Sequence, residues 1–417
     1  MKETARRNIR TLYQEAVLFG LFNGIPAAFI SVYALRLGAP NQAIGLITAL
    51  PALINALWLI PSARLIERRR HILATLMLCG FLAGAQYLVL VLLPALPTAA
   101  QTPVLLLIIA LGAMPAGLYS VLINTVLADT IPPPERVRAL GNRNLFLSLS
   151  DATVVFGGGW FLGLFVFPSN YRLAFLIVFG LSLMNLVVLR NLVLPRLPAG
   201  TASAAPVNLT LNRVRELLRD EGEARDFLRF LLAASAIQFG GWVVRPLFSI
   251  YWVRTLSASD AWVGILAGAF SFTAMLAYPV WGRFAPDMSS RRLLLLGSLG
   301  AAAYPFLTVL APAPAFLLIP AVIGGVMAPP LNIGLMNGLL DVAPELHRPT
   351  FIAVYTATAN LSGFVGPILC TSLLLPVIGI KAAIWIGAGV RLLGWAAVFA
   401  LVKKPGVNPC SRSKGML

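Results

Sequence analysis

The chain has 417 residues, 59% of them hydrophobic and only 11% charged, with a mean hydropathy of +0.85 and a net charge of +17. Ordinary globular domains carry about 25% charged residues, so this composition excludes a water-soluble fold. Apolar runs of about twenty residues recur between polar connectors, each long enough to cross a hydrocarbon core of about 30 Å as a helix. Lipid offers exposed backbone groups no partners, and the runs lack the alternation of barrel strands, so an all-α integral membrane protein is predicted.

Twelve spans are predicted in chain order, at roughly 12–36, 43–63, 72–93, 103–127, 144–167 and 172–192, then 227–252, 261–282, 293–311, 316–340, 351–374 and 382–402. They divide the chain into an N-terminal six-helix bundle (1–192), a linker (193–226) and a C-terminal six-helix bundle (227–417). Within the linker, Leu211, Val214, Leu217 and Leu218 share one side of a short helix ringed by Arg213, Arg215, Glu216 and Arg219. That pattern suits a helix lying on a membrane surface, with a docking site for a partner as the alternative.

Of the 32 Lys and Arg, all but Arg36, Arg172, Arg254, Lys381, Arg245 and Arg391 fall in the termini, the central polar joint from about Arg190 to Arg229 or the even-to-odd loops. This is the positive-inside asymmetry, which predicts both termini in the cytoplasm and a cell (inner) membrane location. The basic balance therefore speaks for anionic headgroups, and no nucleic-acid partner is expected. The first apolar run is full length and lacks a small-residue cleavage site, so no cleavable signal peptide is expected. Cys79 and Cys370 lie in spans and Cys410 in the tail, while His71 and His347 sit in separate loops. Neither set makes a disulfide or metal framework, and no cofactor is expected.

The two halves repeat each other. Phe19-Gly20 is matched by Phe239-Gly240, Ala63-Arg64-Leu65 by Gly282-Arg283-Phe284, the loop with Asp129 and Glu135 by that with Asp341 and Glu345, and Arg172 by Lys381. Two six-helix units in one orientation make a transporter architecture. With A-R-L-I-E-R-R-R-H from Ala63 and G-R-F-A-P-D-M-S-S-R-R from Gly282, the chain resembles the major facilitator superfamily along nearly its whole length. Those segments correspond to the family's Gly-x-Leu-x-Asp-Arg-x-Gly-Arg-Arg loop after helix two and its echo after helix eight. Ala63 and Glu67 replace the family's Gly and Asp in the first copy, and the acid is shifted one place to Asp287 in the second.

The resemblance implies a cytoplasmic gate: Glu67, with Arg68 beside it, faces the start of span eleven near Arg348, and Asp287 faces Arg143 at the start of span five. The alternative is that these charges only set topology. Inside the spans a charge is costly and usually faces a cavity or a partner. Asn144, Ser148 and Asp151 share one face of span five, and Asp151 is read either as a proton carrier or as a packing residue. Gln238, Trp242, Arg245 and Ser249 share a face of span seven, where a cation beside an indole could hold an anionic or aromatic group. The alternative for Arg245 is an outer-gate or snorkelling role. Asp151 and Arg245 differ in depth by about 15 Å, which argues against a direct ion pair.

Asn23, Asn124, Asn332 and Asn360 lie in spans that line the central cavity in the resembling family, or else make interhelical hydrogen bonds. Glu15 is expected to snorkel or pair with the basic tail. The resemblance implies that spans three, six, nine and twelve buttress the cavity from outside, so Arg391 in span twelve is expected to be structural. Gly157, Gly158 and Gly159 in span five match Ser362 to Pro367 in span eleven, and both stretches permit close helix approach. No phosphate-binding loop and no catalytic triad occurs, so an ATP-driven pump and an enzyme are both disfavoured.

The resulting expectation is a monomeric secondary transporter of a small amphipathic or weakly anionic organic solute, working by alternating access with protons as a candidate coupling ion. The alternative is a non-transporting membrane protein of the same fold that handles lipid, senses, or assists assembly.

Overall fold

The computed structural model describes residues 2–67, 72–131, 133–193, 223–343 and 348–402. They form twelve long helices: α1 (Lys2–Arg36), α2 (Asn41–Glu67), α3 (Ile72–Leu92), α4 (Thr98–Thr130), α5 (Pro133–Leu164) and α6 (Ser169–Leu189), followed by α7 (Glu223–Ile250), α8 (Asp260–Phe284), α9 (Ser290–Leu310), α10 (Leu318–Val342), α11 (Arg348–Leu369) and α12 (Leu375–Leu401). Hydropathy alone marks eleven spans, because the last, Thr350–Leu401, runs unbroken for 52 residues. As one helix it would be about 78 Å long, more than twice a hydrocarbon core. Gly379, five residues into α12, breaks the run at φ 76° and ψ 170°, a conformation open only to glycine, so the helix before it and the one after it cross separately.

Several helices outrun their apolar spans, notably α1 and α5, which begin at Lys2 and Pro133 rather than near 12 and 144. Hydropathy reports where the membrane is, whereas helix continues into the polar flank as long as its backbone bonds are made. The expected linker helix over 211–219, and the loop histidines, lie outside the described residues.

Asn8 exchanges two hydrogen bonds with Val193, at 2.9 and 3.0 Å, joining the start of α1 to the end of α6. Arg291, opening α9, donates to the Phe399 carbonyl near the end of α12 at 2.6 Å. These contacts define a tail end of the bundle, with Arg36 at the opposite end. In the first six helices α1 packs on α5 and α6, α3 on α4 and α6, and α2 on α4. The last six repeat this scheme: α7 on α11 and α12, α9 on α10 and α12, α8 on α10.

The halves meet along two seams related by the same repeat, α5 with α8 and α2 with α11. A Cβ on Gly159 would stand 2.5 Å from the Gly264 Cα, so bare backbone is what lets α5 reach α8. On the other seam Gly45 abuts Thr371 and the Pro367 carbonyl, and Gly363 lies against Ala52.

A reciprocal clasp closes the Arg36 end. Arg36 donates to the Asp260 carboxylate at 3.0 and 3.2 Å and to the Ala258 carbonyl at 3.0 Å. Arg254 donates to the Asn41 side chain and the Ala39 carbonyl, both at 2.6 Å. Each arginine thus takes from the other half a carbonyl and the side chain two residues further on.

The core follows the same polarity. One buried cluster, from Ile25 and Tyr33 to Val244, Tyr251 and Cys370, joins both halves toward the Arg36 end. Toward the tail end the core divides into a cluster of the first half, around Leu76 and Leu122, and one of the second, around Phe230 and Leu339. Large apolar side chains face outward, among them Leu88 on α3, Met184 on α6, Phe306 on α9 and Leu393 on α12. With twelve long apolar helices, that surface makes this a multi-pass membrane protein.

Replacing Gly159 with Leu should overpack the α5–α8 seam at a cost of about 1–3 kcal/mol. The melting temperature of the detergent-purified protein should fall accordingly. Gly157→Leu, where an added side chain meets nothing within 4 Å, should leave it unchanged.

Candidate functional site

The buried charges sort into those the chain neutralises and those it does not. Glu15 on α1 is fully buried at 0% exposure, and Arg143 on α5 is 7% exposed. Arg143 grips one Glu15 oxygen with Nε at 3.2 Å and Nη2 at 2.8 Å. The Tyr119 hydroxyl on α4 donates to the other oxygen at 3.0 Å and accepts from Asn185 on α6, also at 3.0 Å. Four helices are tied through one carboxylate, whose acceptor sites are filled by charged and neutral donors.

In this state Arg143 is held by Glu15 within its own half, and Asp287 is exposed and makes no ion pair among the described residues. One expectation is corrected. Glu15 does not snorkel, and its partners among the described residues are Arg143 and Tyr119 rather than the N-terminal basic residues. Glu67 closes α2, but its side chain, like all of Arg68, lies outside the described residues. Arg348 is half-buried at the start of α11.

Two cavities follow the repeat. The first, about 350 Å³, opens among α1 to α4 and is lined by uncharged groups that include Asn23, Asn55, Gln86 and Ser120. The second, about 300 Å³, opens among α7 to α10 and α12, with Gln238, Trp242, Arg245 and Asn332 on its wall. Both fall in the range of small-molecule sites. In the second, Arg245 stands over the Trp242 ring at 4.9 Å, and Gln238 donates to the Tyr355 hydroxyl at 3.0 Å. Asn332 donates to Tyr278 at 2.9 Å. Phe248, Phe270 and Tyr304 complete an aromatic flank.

Arg391 also lines this cavity, contrary to the expectation that it buttresses from outside. Its guanidinium bonds the Ala301 carbonyl, and its side chain crosses α7, where a Cβ on Gly240 would come within 2.8 Å of its Cγ and one on Gly241 within 2.5 Å of its Nη2. Two adjacent glycines facing an arginine-bearing helix are the signal that could have found this placement.

Of the other expected residues, Asn23 lines the first cavity, while Asn124, Asp151 and Asn360 line neither of the two. Asn124 bonds the Ser120 carbonyl of its own helix at 2.9 Å. Asp151 is half-buried on α5 and turned toward α1, where its Oδ1 would be 3.1 Å from a Cβ at Gly24. It makes no hydrogen bond among the described residues.

Twelve helices in two matching sets of six, with a cavity in each set, define a polytopic membrane protein of the duplicated transporter type. The sequence profile of the Major Facilitator Superfamily matches residues 16–236 and again 230–415, so the chain belongs to that family. Its reading as a secondary transporter rests on that membership. The nucleoside transporter NupG superposes with a TM-score of 0.71 at 12% identity, over 95% of this chain and 99% of that one. A bacterial homologue of the human lysosomal transporter Spinster, inward-facing and unoccupied, superposes at 0.65 with 16% identity, over 96% of this chain and 95% of that one. Identities this low speak for the fold alone. A staphylopine export protein of Staphylococcus aureus (strain Mu50 / ATCC 700699) is 25% identical over 122 residues, spanning 28% of this chain and 30% of that protein.

Glu15→Ala should destabilise the first half by about 3–5 kcal/mol, because it strands a buried guanidinium. The double variant Glu15→Ala, Arg143→Met should recover much of that loss in the same thermal unfolding assay.

Proposed function

We propose that the protein moves a small amphipathic, weakly anionic organic solute across the cell membrane by alternating access, with both termini in the cytoplasm and halves 1–192 and 227–417 tethered by the segment between them. The observation that carries this is the second cavity, where Arg245 meets Trp242 with no carboxylate beside it among the described residues. A cation next to aromatic surface suits an anionic group on an apolar body better than a sugar, which asks for denser hydrogen bonding. The uncharged first cavity would take the solute's neutral part.

Alternating access is supported by the core that is joined at the Arg36 end and divided at the tail end. In this state the solute would enter from the cytoplasm, and the Arg36 and Arg254 clasp would have to part for release outside. Asp287, Glu67, Arg68, Arg348 and Arg143 remain candidates for closing the tail end in the opposite state; Arg143 would then have to leave Glu15. Asn124 and Asn360 stay candidates for solute contact in that state. The short likeness to an export protein makes efflux the direction to test first.

Asp151 is proposed as the proton-coupling group, since an unbonded carboxylate wedged between α1 and α5 would feel any change in how those helices meet. In proteoliposomes bearing a pH gradient, Asp151→Asn should abolish gradient-driven accumulation while solute exchange at equal concentrations persists. Full accumulation by the variant would remove Asp151 from the coupling mechanism. A folded protein that moves no member of an anion panel would count against transport itself.

A further inference from the structure

Arg391 changes what the second cavity asks of its occupant. Arg245 is exposed to the cavity and makes neither a hydrogen bond nor an ion pair among the described residues. Arg391 gives one nitrogen to the Ala301 carbonyl, while its Nε is buried without any hydrogen bond. Its guanidinium lies at the level of Gly241, one helical turn, about 6 Å, from the α7 position of Arg245. Two permanent cations therefore share a cavity of about 300 Å³ in the membrane interior, and no Asp or Glu lines it.

We infer that the cavity is a site for an organic dianion: a solute carrying two carboxylates, or a phosphoryl group, on an aromatic or aliphatic body. The inference rests on the transport-site reading above and adds the second charge. A guanidinium cannot shed its proton, and without a counter-anion it is costly inside a bilayer. Elsewhere the chain supplies that anion, with Glu15 for Arg143 and Asp260 for Arg36. No side chain lining the cavity does so, which leaves that part to a ligand, and a solute with one negative charge would leave one arginine uncompensated. Planar guanidinium forks match carboxylate and phosphate oxygens two at a time, while Trp242, Phe248, Phe270 and Tyr304 take the solute's body. Gly240 and Gly241 act as the specificity device, because only their lack of side chains lets Arg391 reach over α7.

The test is binding to the full-length, detergent-purified protein at neutral pH, using phthalate, benzoate and benzamide, which share a ring and differ in charge. Phthalate should bind about tenfold or more tightly than benzoate, with benzamide weakest. Arg391→Gln and Arg245→Gln should each bring phthalate down to the level of benzoate. Gly241→Leu should do the same with both charges retained, and melting temperatures check that each variant is folded. Phthalate binding no tighter than benzoate, no phthalate binding by folded protein, or a preference that survives Arg391→Gln would each overturn the inference. Transport by the same preparation keeps the two readings apart. Movement of neutral or cationic solutes by protein indifferent to phthalate would sink only the dianion site. Phthalate bound by protein that moves nothing would sink only the transport reading.

Discussion

A guanidinium inside a membrane protein must be neutralised, and this fold is arranged around where that is done and where it is not. Arg143 has Glu15, Arg36 has Asp260, and both pairs sit where helices converge. Such pairs add little net stability, because desolvation offsets most of their attraction, but removing either partner is severe. They therefore act as pins that fix which helices meet. Arg245 and Arg391 have no such partner among the described residues, and they border a cavity. The contrast separates structural charge from charge kept available for a ligand, and it explains why the first cavity, lined by amides, cannot simply be a second copy of the site.

The joint between the halves has a different physical character from the interior of either half. Within each half, large side chains such as Phe230, Leu122 and Leu339 fill the space between helices. Along the seams, Gly159, Gly264 and Gly45 bring backbones together, and at the Arg36 end arginines bonded to carbonyls, an amide and one carboxylate reinforce the shared apolar cluster. Polar and backbone contacts can be exchanged for water more readily than a packed apolar core can be opened. Because the clasp and the seams obey the internal repeat, a pseudo-symmetric rearrangement of the halves has equivalent surfaces on which to land.

Much of this was legible in the sequence, for identifiable reasons. Span number and the duplication follow from hydropathy and repeats, which depend on composition and not on fine packing, while the outer position of α3, α6, α9 and α12 was implied by the family resemblance. The shared face of Gln238, Trp242 and Arg245 follows from helical periodicity. Three features were not legible. Glu15 and Arg143 lie 128 positions apart, one in the first turn of span one and the other just before span five, so no local pattern pairs them. Arg391 was set outside the cavity because its helix faces lipid, but one helix can present opposite faces to lipid and to a cavity, and only contacts with Gly240 and Gly241 reveal which face carries the arginine. The clasp depends on a two-residue offset between short loops in different halves, visible in sequence only once the arginines are known to cross over.

The central claim is that this chain carries an organic anion by exposing one site to each side in turn. Counterflow tests it most directly: proteoliposomes loaded with an unlabelled aromatic dicarboxylate are diluted into trace labelled compound with no ion gradient. The account predicts transient accumulation of label above equilibrium, lost in Arg245→Gln and absent for the uncharged diamide. Equal overshoot for the diamide, or no overshoot from folded, reconstituted protein across dicarboxylates and phosphate monoesters, would contradict it.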